Sequence, residues 1–445
     1  MRMNERINAL CSFLNASHSG YHAVAYLEKQ LQTAGYTRLS EGESWALQPG
    51  GKYYLTRGGT AVFAFRIPAG KPTGFLLSAS HSDRPNFKIK ENPELGGTYT
   101  RLAVERYGGQ LLFTWLDRPL SIAGRVMVET EEGIESRLID IDRDLLLIPN
   151  VAIHMNRQVN DGYKWNPAVD MLPLLGGKDA KGKLNALLEE AAGGRILGHD
   201  LYLYVREKAK IWGMDNEYIS STALDDLECA WACTQGFLKA EESQSIPVLC
   251  VFDSEEVGSG SRQGAASTTL PDTLERIADA LGLDLKQLLA RSFMVSADNG
   301  HALHPNHPEL SDPTNAPILG EGVVIKFNAT LKYCTDGLSA ALFRKVCEKA
   351  GVRHQTYCNR ADIPGGSKCC ILSVAQPQRC DRMDDRSRCH RPRSRKPHLQ
   401  SHRITRTADI QQRCSQGAQA RGRIKIQTGS VPVPLSEAGT GRRSI

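Results

Sequence analysis

The 445-residue chain has no apolar run long enough to cross a membrane as a helix. Its opening, Met1-Arg-Met-Asn-Glu-Arg6, lacks the apolar stretch of a signal peptide, so a soluble cytoplasmic protein is the expectation. The 12 cysteines show no paired zinc-finger spacing, and Cys369 and Cys370 are vicinal. Neither a disulfide framework nor a thiolate zinc site is indicated. Aromatic residues are absent from residues 369–445, which hold 16 Lys or Arg against 5 Asp or Glu. Of the overall +6 charge, that segment carries +11 and the first 368 residues carry −5. The basic balance therefore belongs to a stretch without core-forming residues and says nothing about partners of the rest. Clustered Arg can neutralise phosphates, but this stretch has neither interleaved aromatics nor helical periodicity, so nucleic acid is not an expected partner.

What is present suffices for two or three domains, since 41% of the residues are hydrophobic. Ile7, Leu10 and Leu14, then Val24, Leu27 and Leu31, have helical spacing on either side of a Ser-Gly break. Residues 60–67 and 74–79 read as strands, the second running into Ser80-His81-Ser82-Asp83. Asp83 is placed to hold the far nitrogen of the His81 imidazole and fix its tautomer, although a His-x-Asp taken alone is more often an ordinary surface pair. From about Thr100 the β-like runs are closely spaced: 110–115, 122–129, 137–141 and 145–148, followed by a lone helix near 184–191. This predicts a β-rich domain inserted between two halves of an α/β one, with His154 inside it. The α/β pattern returns around residues 200–206, and Leu224-Asp225-Asp226-Leu227 opens a helix whose dipole favours acidic residues in its first turn. Residues 336–349 read as a further helix with Leu338, Leu342 and Val346 on one face.

The chain is organised around residues 250–261, Cys-Val-Phe-Asp-Ser-Glu-Glu-Val-Gly-Ser-Gly-Ser. Residues 248–252 read as a buried strand ending at Glu255 and Glu256, where open α/β sheets carry their chemistry. Adjacent carboxylates at such an edge need something positive to hold them. Two other apolar runs stop in the same way, at His81 and at Asp298, and the helix start adds Asp225. Imidazole mixed with carboxylates suits Zn²⁺, Co²⁺ or Mn²⁺. Two ions sharing a bridging carboxylate can polarise a carbonyl, and one carboxylate must stay unliganded to move the proton. Of Glu255 and Glu256, one can be ligand and the other base.

The chain resembles the M18 metallopeptidases, the aspartyl aminopeptidase family. The resemblance rests on residues 78–83 (SASHSD), 107–118 (YGGQLLFTWLDR), 152–157 (AIHMNR), 224–227 (LDDL), 253–259 (DSEEVGS) and 296–302 (SADNGHA) with 304–306 (HPN). It covers roughly residues 5–367. It implies a zinc-exopeptidase-like, three-layer α/β catalytic domain interrupted by a β-rich dimerisation domain. The corresponding divisions are 1–99 and 206–367 for the catalytic domain and 100–205 for the insertion. It further implies two Zn²⁺ ions, with Asp225 bridging, His81 and Asp298 on one ion and Glu256 on the other. Glu255 is then the general base, Asp83 the partner of His81, and His154 a residue that reaches a neighbouring subunit's active site. Peptide substrates with acidic to neutral N-termini, and a homo-oligomer built from dimers, commonly of twelve subunits, are implied as well.

After Gly365-Gly366-Ser367 the resemblance stops. The family continues there with a segment supplying its last zinc histidine, whereas Lys368-Cys369-Cys370 begins the Arg-rich stretch to residue 445. His390, His398 and His402 lack the family's context. The expectation is a tail translated in a shifted reading frame and an enzyme impaired by loss of that ligand. The competing expectation is a catalytically inactive family member that binds or scaffolds.

Overall fold

A computed structural model describes residues 3–363. The chain opens with helices α1 (Met3–Ala16) and α2 (Gly20–Thr33), whose N-terminus is capped by the Ser19 side chain. Strands β1 (Thr37–Arg38), β2 (Lys52–Arg57), β3 (Ala61–Arg66) and β4 (Gly74–His81) follow. A second group comprises β5 (Asn86–Leu95), β6 (Tyr99–Tyr107), β7 (Leu120–Thr130), β8 (Gly133–Asp140), β9 (Leu174–Gly177), α3 (Lys183–Ala192) and β10 (Ile196–Val205). After the small hairpin of β11 (Lys210–Trp212) and β12 (Tyr218–Ser220) come α4 (Leu224–Lys239) and β13 (Ser245–Phe252). The last elements are α5 (Thr269–Ala280), α6 (Leu285–Ala290), β14 (Phe293–Ser296), β15 (Val323–Phe327), α7 (Gly337–Ala350) and β16 (His354–Cys358).

The first sheet has the order β1-β2-β3-β13-β4-β14. Strand β13, Ser-Ile-Pro-Val-Leu-Cys-Val-Phe, is apolar on both faces because helices cover both. Leu249 and Val251 join a core with α1, α2 and α4, whereas Ile246, Val248, Cys250 and Phe252 join another with α5 and α6. The result is a helix–sheet–helix sandwich, the expected α/β architecture. Strands β13 and β14 both run parallel to β4, with Phe252 opposite His81 and Ser296 opposite Ala79. Parallel pairing sends all three carboxyl ends to the same edge of the sheet.

The second sheet, β8-β7-β10-β5-β6-β9, is antiparallel throughout and has its own core, to which α3 contributes Leu184 and Leu188. It begins at Asn86, ahead of residue 100, and residues 200–206, expected to resume the α/β pattern, lie almost wholly in its strand β10. Residues 110–115 do not form a strand. Leu112–Trp115 is one 3₁₀ turn, which lets Trp115 pack edge-on against Phe87 with ring centroids 5.1 Å apart. Residues 145–148 make only isolated bridges, burying Leu146 and Ile148 without a ladder.

Strands β15 and β16 pair in parallel as a separate two-stranded sheet. Helix α7 buries Ala340 and Cys347, with Phe343 packed beside Cys347. The Leu338–Leu342 face is turned outward, at 69% and 48% exposure, so that apolar spacing does not mark a buried stripe. The expected tail, including His390, His398 and His402, lies outside the described residues.

Candidate metal centre

His81 is the last residue of β4 and is almost fully buried. Its Nδ1 lies 3.2 Å from Asp83 Oδ1 and 3.2 Å from the Asp83 carbonyl. Those contacts turn Nε2 toward three carboxylates: Asp225 Oδ1 at 3.8 Å, Asp226 Oδ2 at 3.9 Å and Glu255 Oε2 at 3.9 Å. Asp298, two residues past β14, completes a group in which His81, Asp225, Asp226 and Asp298 each offer a ligand atom within 4.8 Å of the others. The structure thus brings together His81, Asp225 and Asp298, as expected from their strand and helix ends. It adds Asp226, which sequence reasoning left out.

The signal for Asp226 was in the Asp225-Asp226 pair, but a regular helix would point two consecutive side chains in different directions. Here the first turn of α4 is not helical at Asp225 (φ −87°, ψ 111°) or Asp226 (φ −116°, ψ 22°), and the peptide between them is cis. The regular helix thus begins after Asp226, with both acidic residues at its N-terminal end, where its dipole favours them. Asp226 Oδ2 accepts the His81 backbone N–H at 3.1 Å, fixing strand end to helix start.

Glu255 and Glu256 lie on a 3₁₀ turn between two left-handed residues, Ser254 (φ 63°) and Gly258 (φ 99°). Asp83 Oδ1 accepts the Glu255 N–H and Asp83 Oδ2 the Glu256 N–H, both at 3.1 Å. One carboxylate thereby joins the histidine to the backbone of both glutamates. Gly108 (φ 77°) closes the far side, where an added Cβ would fall 3.0 Å from Glu256 Cβ.

The electrostatics calls for a cation. Burial pushes the Asp226 carboxyl up to about 8, and the Asp298 charge adds to it while His81 opposes. Burial likewise pushes Glu256 up to about 8, against the pull of His81 and with the added repulsion of Asp83, Glu255 and Asp298. Burial pulls the His81 imidazole down, but Asp226, Asp83 and Asp298 together raise it well above its ordinary range. Asp226 Oδ1 is buried with no hydrogen-bond partner. A buried pocket in which carboxylates crowd together and one carboxylate oxygen has no partner fits a divalent cation, and an imidazole–carboxylate donor set fits zinc. His81, Asp225, Asp226 and Asp298 are the residues able to hold it.

Two further neighbours escaped the sequence reading. Lys326 on β15 lies 3.5 Å from Asp298 Oδ1 and donates to the Asn299 carbonyl at 2.9 Å. Burial opposes its charge, yet Asp298 holds its ammonium above the ordinary lysine range. A lone lysine in a β run offered no local signal. Tyr107, the last residue of β6, donates to Asp83 Oδ2 at 2.9 Å. His154 stands apart, exposed on a turn at residues 153–155 and outside the four-residue group.

Comparison with known proteins agrees with this geometry. Residues 13–377 match the family described as aminopeptidase I zinc metalloprotease (M18). The chain is 41% identical over 376 residues to a probable M18 family aminopeptidase 2 of Clostridium novyi, covering 81% of this chain and 87% of that protein. It is 37% identical over 378 residues to a protein of the same description from Pseudomonas entomophila, covering 82% and 88%. Among solved structures, a chain of the Ape4 and Nbr1 complex superposes with a TM-score of 0.79 at 34% identity, covering 82% of this chain and 77% of that one. The S. cerevisiae mApe1 dodecamer gives 0.71 at 26% identity, covering 80% and 85%. With the family matched over most of its length and the metal-binding group at the sheet edge, the chain belongs to the M18 aminopeptidase I zinc metalloproteases and is a metallo-aminopeptidase.

Proposed function

We propose that the protein removes N-terminal residues from peptides at a two-zinc centre, with Glu255 as the general base. The observation that carries this reading is the convergence of His81, Asp225, Asp226 and Asp298 within 4.8 Å, with Glu255 beside them. His81 and Asp298 would hold one zinc, Glu256 the other, and Asp225 both. Zinc, when bound, supplies Lewis acidity toward the scissile carbonyl and the attacking water. Glu255 takes the proton from that water and delivers it to the leaving amine. Asp83 keeps the His81 imidazole oriented and holds both glutamates by their N–H groups. Co²⁺ or Mn²⁺ would serve the same oxygen and nitrogen donors.

The reading extends to organisation. The first sheet with its flanking helices would form the catalytic domain, and the second sheet, which starts at Asn86 rather than at residue 100, a dimerisation insert whose His154 enters a neighbouring subunit's site. The exposure of His154 and the dodecamer of the mApe1 relative support a homo-oligomer. No described helix is long and apolar enough to cross a membrane, which accords with the proposed cytoplasmic location.

Impairment of this chain is part of the proposal. The four-residue group contains a single histidine, and among the described residues the second zinc would have Glu256 and the shared Asp225, fewer than the three protein ligands usual for catalytic zinc. An inactive, peptide-binding member is the second reading on the same observation. Release of N-terminal residues from model peptides, before and after prolonged chelation and after zinc is returned, separates them. Turnover that survives chelation would sink the zinc mechanism. Zinc uptake and peptide binding without any turnover would favour the inactive member.

A further inference from the structure

We propose that Tyr107 is a positioning residue through which the second sheet sets the geometry of the metal centre. The inference rests on the zinc reading of the His81 group and goes beyond it by assigning a role to a residue outside the catalytic sheet. Asp83 is buried, and its two oxygens face four groups: His81 Nδ1, the N–H of Glu255, the N–H of Glu256 and the Tyr107 hydroxyl. A carboxylate has about four lone-pair sites, so this set fills it. The first three groups all belong to the segments that Asp83 orients. Tyr107 alone comes from another sheet, and it supplies the fixed reference against which the carboxylate cannot rotate.

Tyr107 is itself held. Its ring packs edge-on against Tyr202 of β10, with centroids 5.9 Å apart, so the hydroxyl is braced by two strands of the second sheet. The next residue, Gly108, lies against Glu256, an added Cβ falling 3.0 Å from the Glu256 Cβ, which brings the same strand end to both the histidine's partner and a glutamate. Removing the hydroxyl takes away the contact that ties Asp83 to the second sheet and loosens its last torsion, the two glutamate N–H groups remaining. His81 Nδ1 then loses a fixed acceptor and Nε2 its aim at the carboxylates.

The test is Tyr107→Phe in the full-length protein, with zinc affinity measured by competition against a colorimetric chelator. Denaturation midpoints are recorded in excess chelator. Zinc affinity should fall about tenfold, the lower end of what loss of a ligand's supporting hydrogen bond costs, while the metal-free midpoint stays close to the parent's. In an Asp83→Ala background the same substitution should change zinc affinity by less than about twofold, because the two residues act as one unit. Unchanged affinity in Tyr107→Phe, or an equal loss with Asp83 already removed, overturns the inference. A parent protein that takes up no zinc overturns the metal reading itself, and this inference with it.

Discussion

Glu255 Oε2 stands 3.9 Å from His81 Nε2, while the backbone N–H of Glu255 is tied to the same Asp83 carboxylate that faces the other nitrogen of that histidine. The backbone of Glu255 is thus tied to the histidine's partner while its carboxylate faces the metal group, where the proposed proton transfer takes place. Replacing Glu255 with Gln should lower kcat by about 10²–10⁴-fold and leave zinc content unchanged, as read by turnover and by metal analysis of the same preparation. Zinc lost together with turnover would mean that Glu255 is the ligand and Glu256 the base.

Zinc stoichiometry tests the impaired state. The protein should retain about one zinc per subunit after gel filtration, held by the His81 group, because catalytic zinc ordinarily needs about three protein ligands. Two tightly held ions per subunit would show that a further residue completes the second site. Substituting His390, His398 and His402 in turn would identify it if it lies in the Arg-rich stretch.

His22 gives the acid limb of the stability curve a specific origin. Burial pushes its imidazole down to about 4, with Asp140 opposing and the charges of His18 and Arg84 adding to the fall. A group whose folded pKa is depressed below its unfolded value contributes fully above the unfolded value of about 6.5. Between 6.5 and 4 the unfolded chain binds the extra proton, so stability falls as pH drops through that window. Partial exposure tempers the effect to about 1–2 kcal/mol. Chemical denaturation of His22→Gln across pH 4–7 should show a flatter limb than the parent; identical slopes would remove His22 as the cause.

The exposed position of His154 yields a mixing experiment. His154→Ala and Glu255→Gln proteins, each well below the parent in turnover, should together regain part of it after subunit exchange, since a hybrid dimer can assemble one site from an intact His154 and an intact Glu255. No recovery after exchange has been verified by mass or fluorescence would remove the cross-subunit role.

The signals that could be read along the chain were local ones. Strand β13 was visible because a short apolar run stopped by carboxylates and glycines needs no distant partner to be recognised. The same holds for β4 ending at His81 and for α1 and α2, whose 3.6-residue spacing is satisfied by their own buried faces. The six family blocks added roles that no spacing carries. What the tertiary structure decided is everything that depends on pairing. The parallel register placing Phe252 opposite His81, and Ser296 opposite Ala79, is what gathers residues from positions 81, 255 and 298 at one edge. Strand β10 looked like a return to the α/β pattern because its alternation is the same in either sheet; only its pairing with β7 and β5 assigns it. The non-helical turn that brings Asp226 in beside Asp225, the reach of Lys326 to Asp298 and the Tyr107 hydroxyl on Asp83 are likewise contacts between distant segments. Leu338 and Leu342 show the converse, for periodicity states that a helix has an apolar face but only its neighbours determine whether that face is covered.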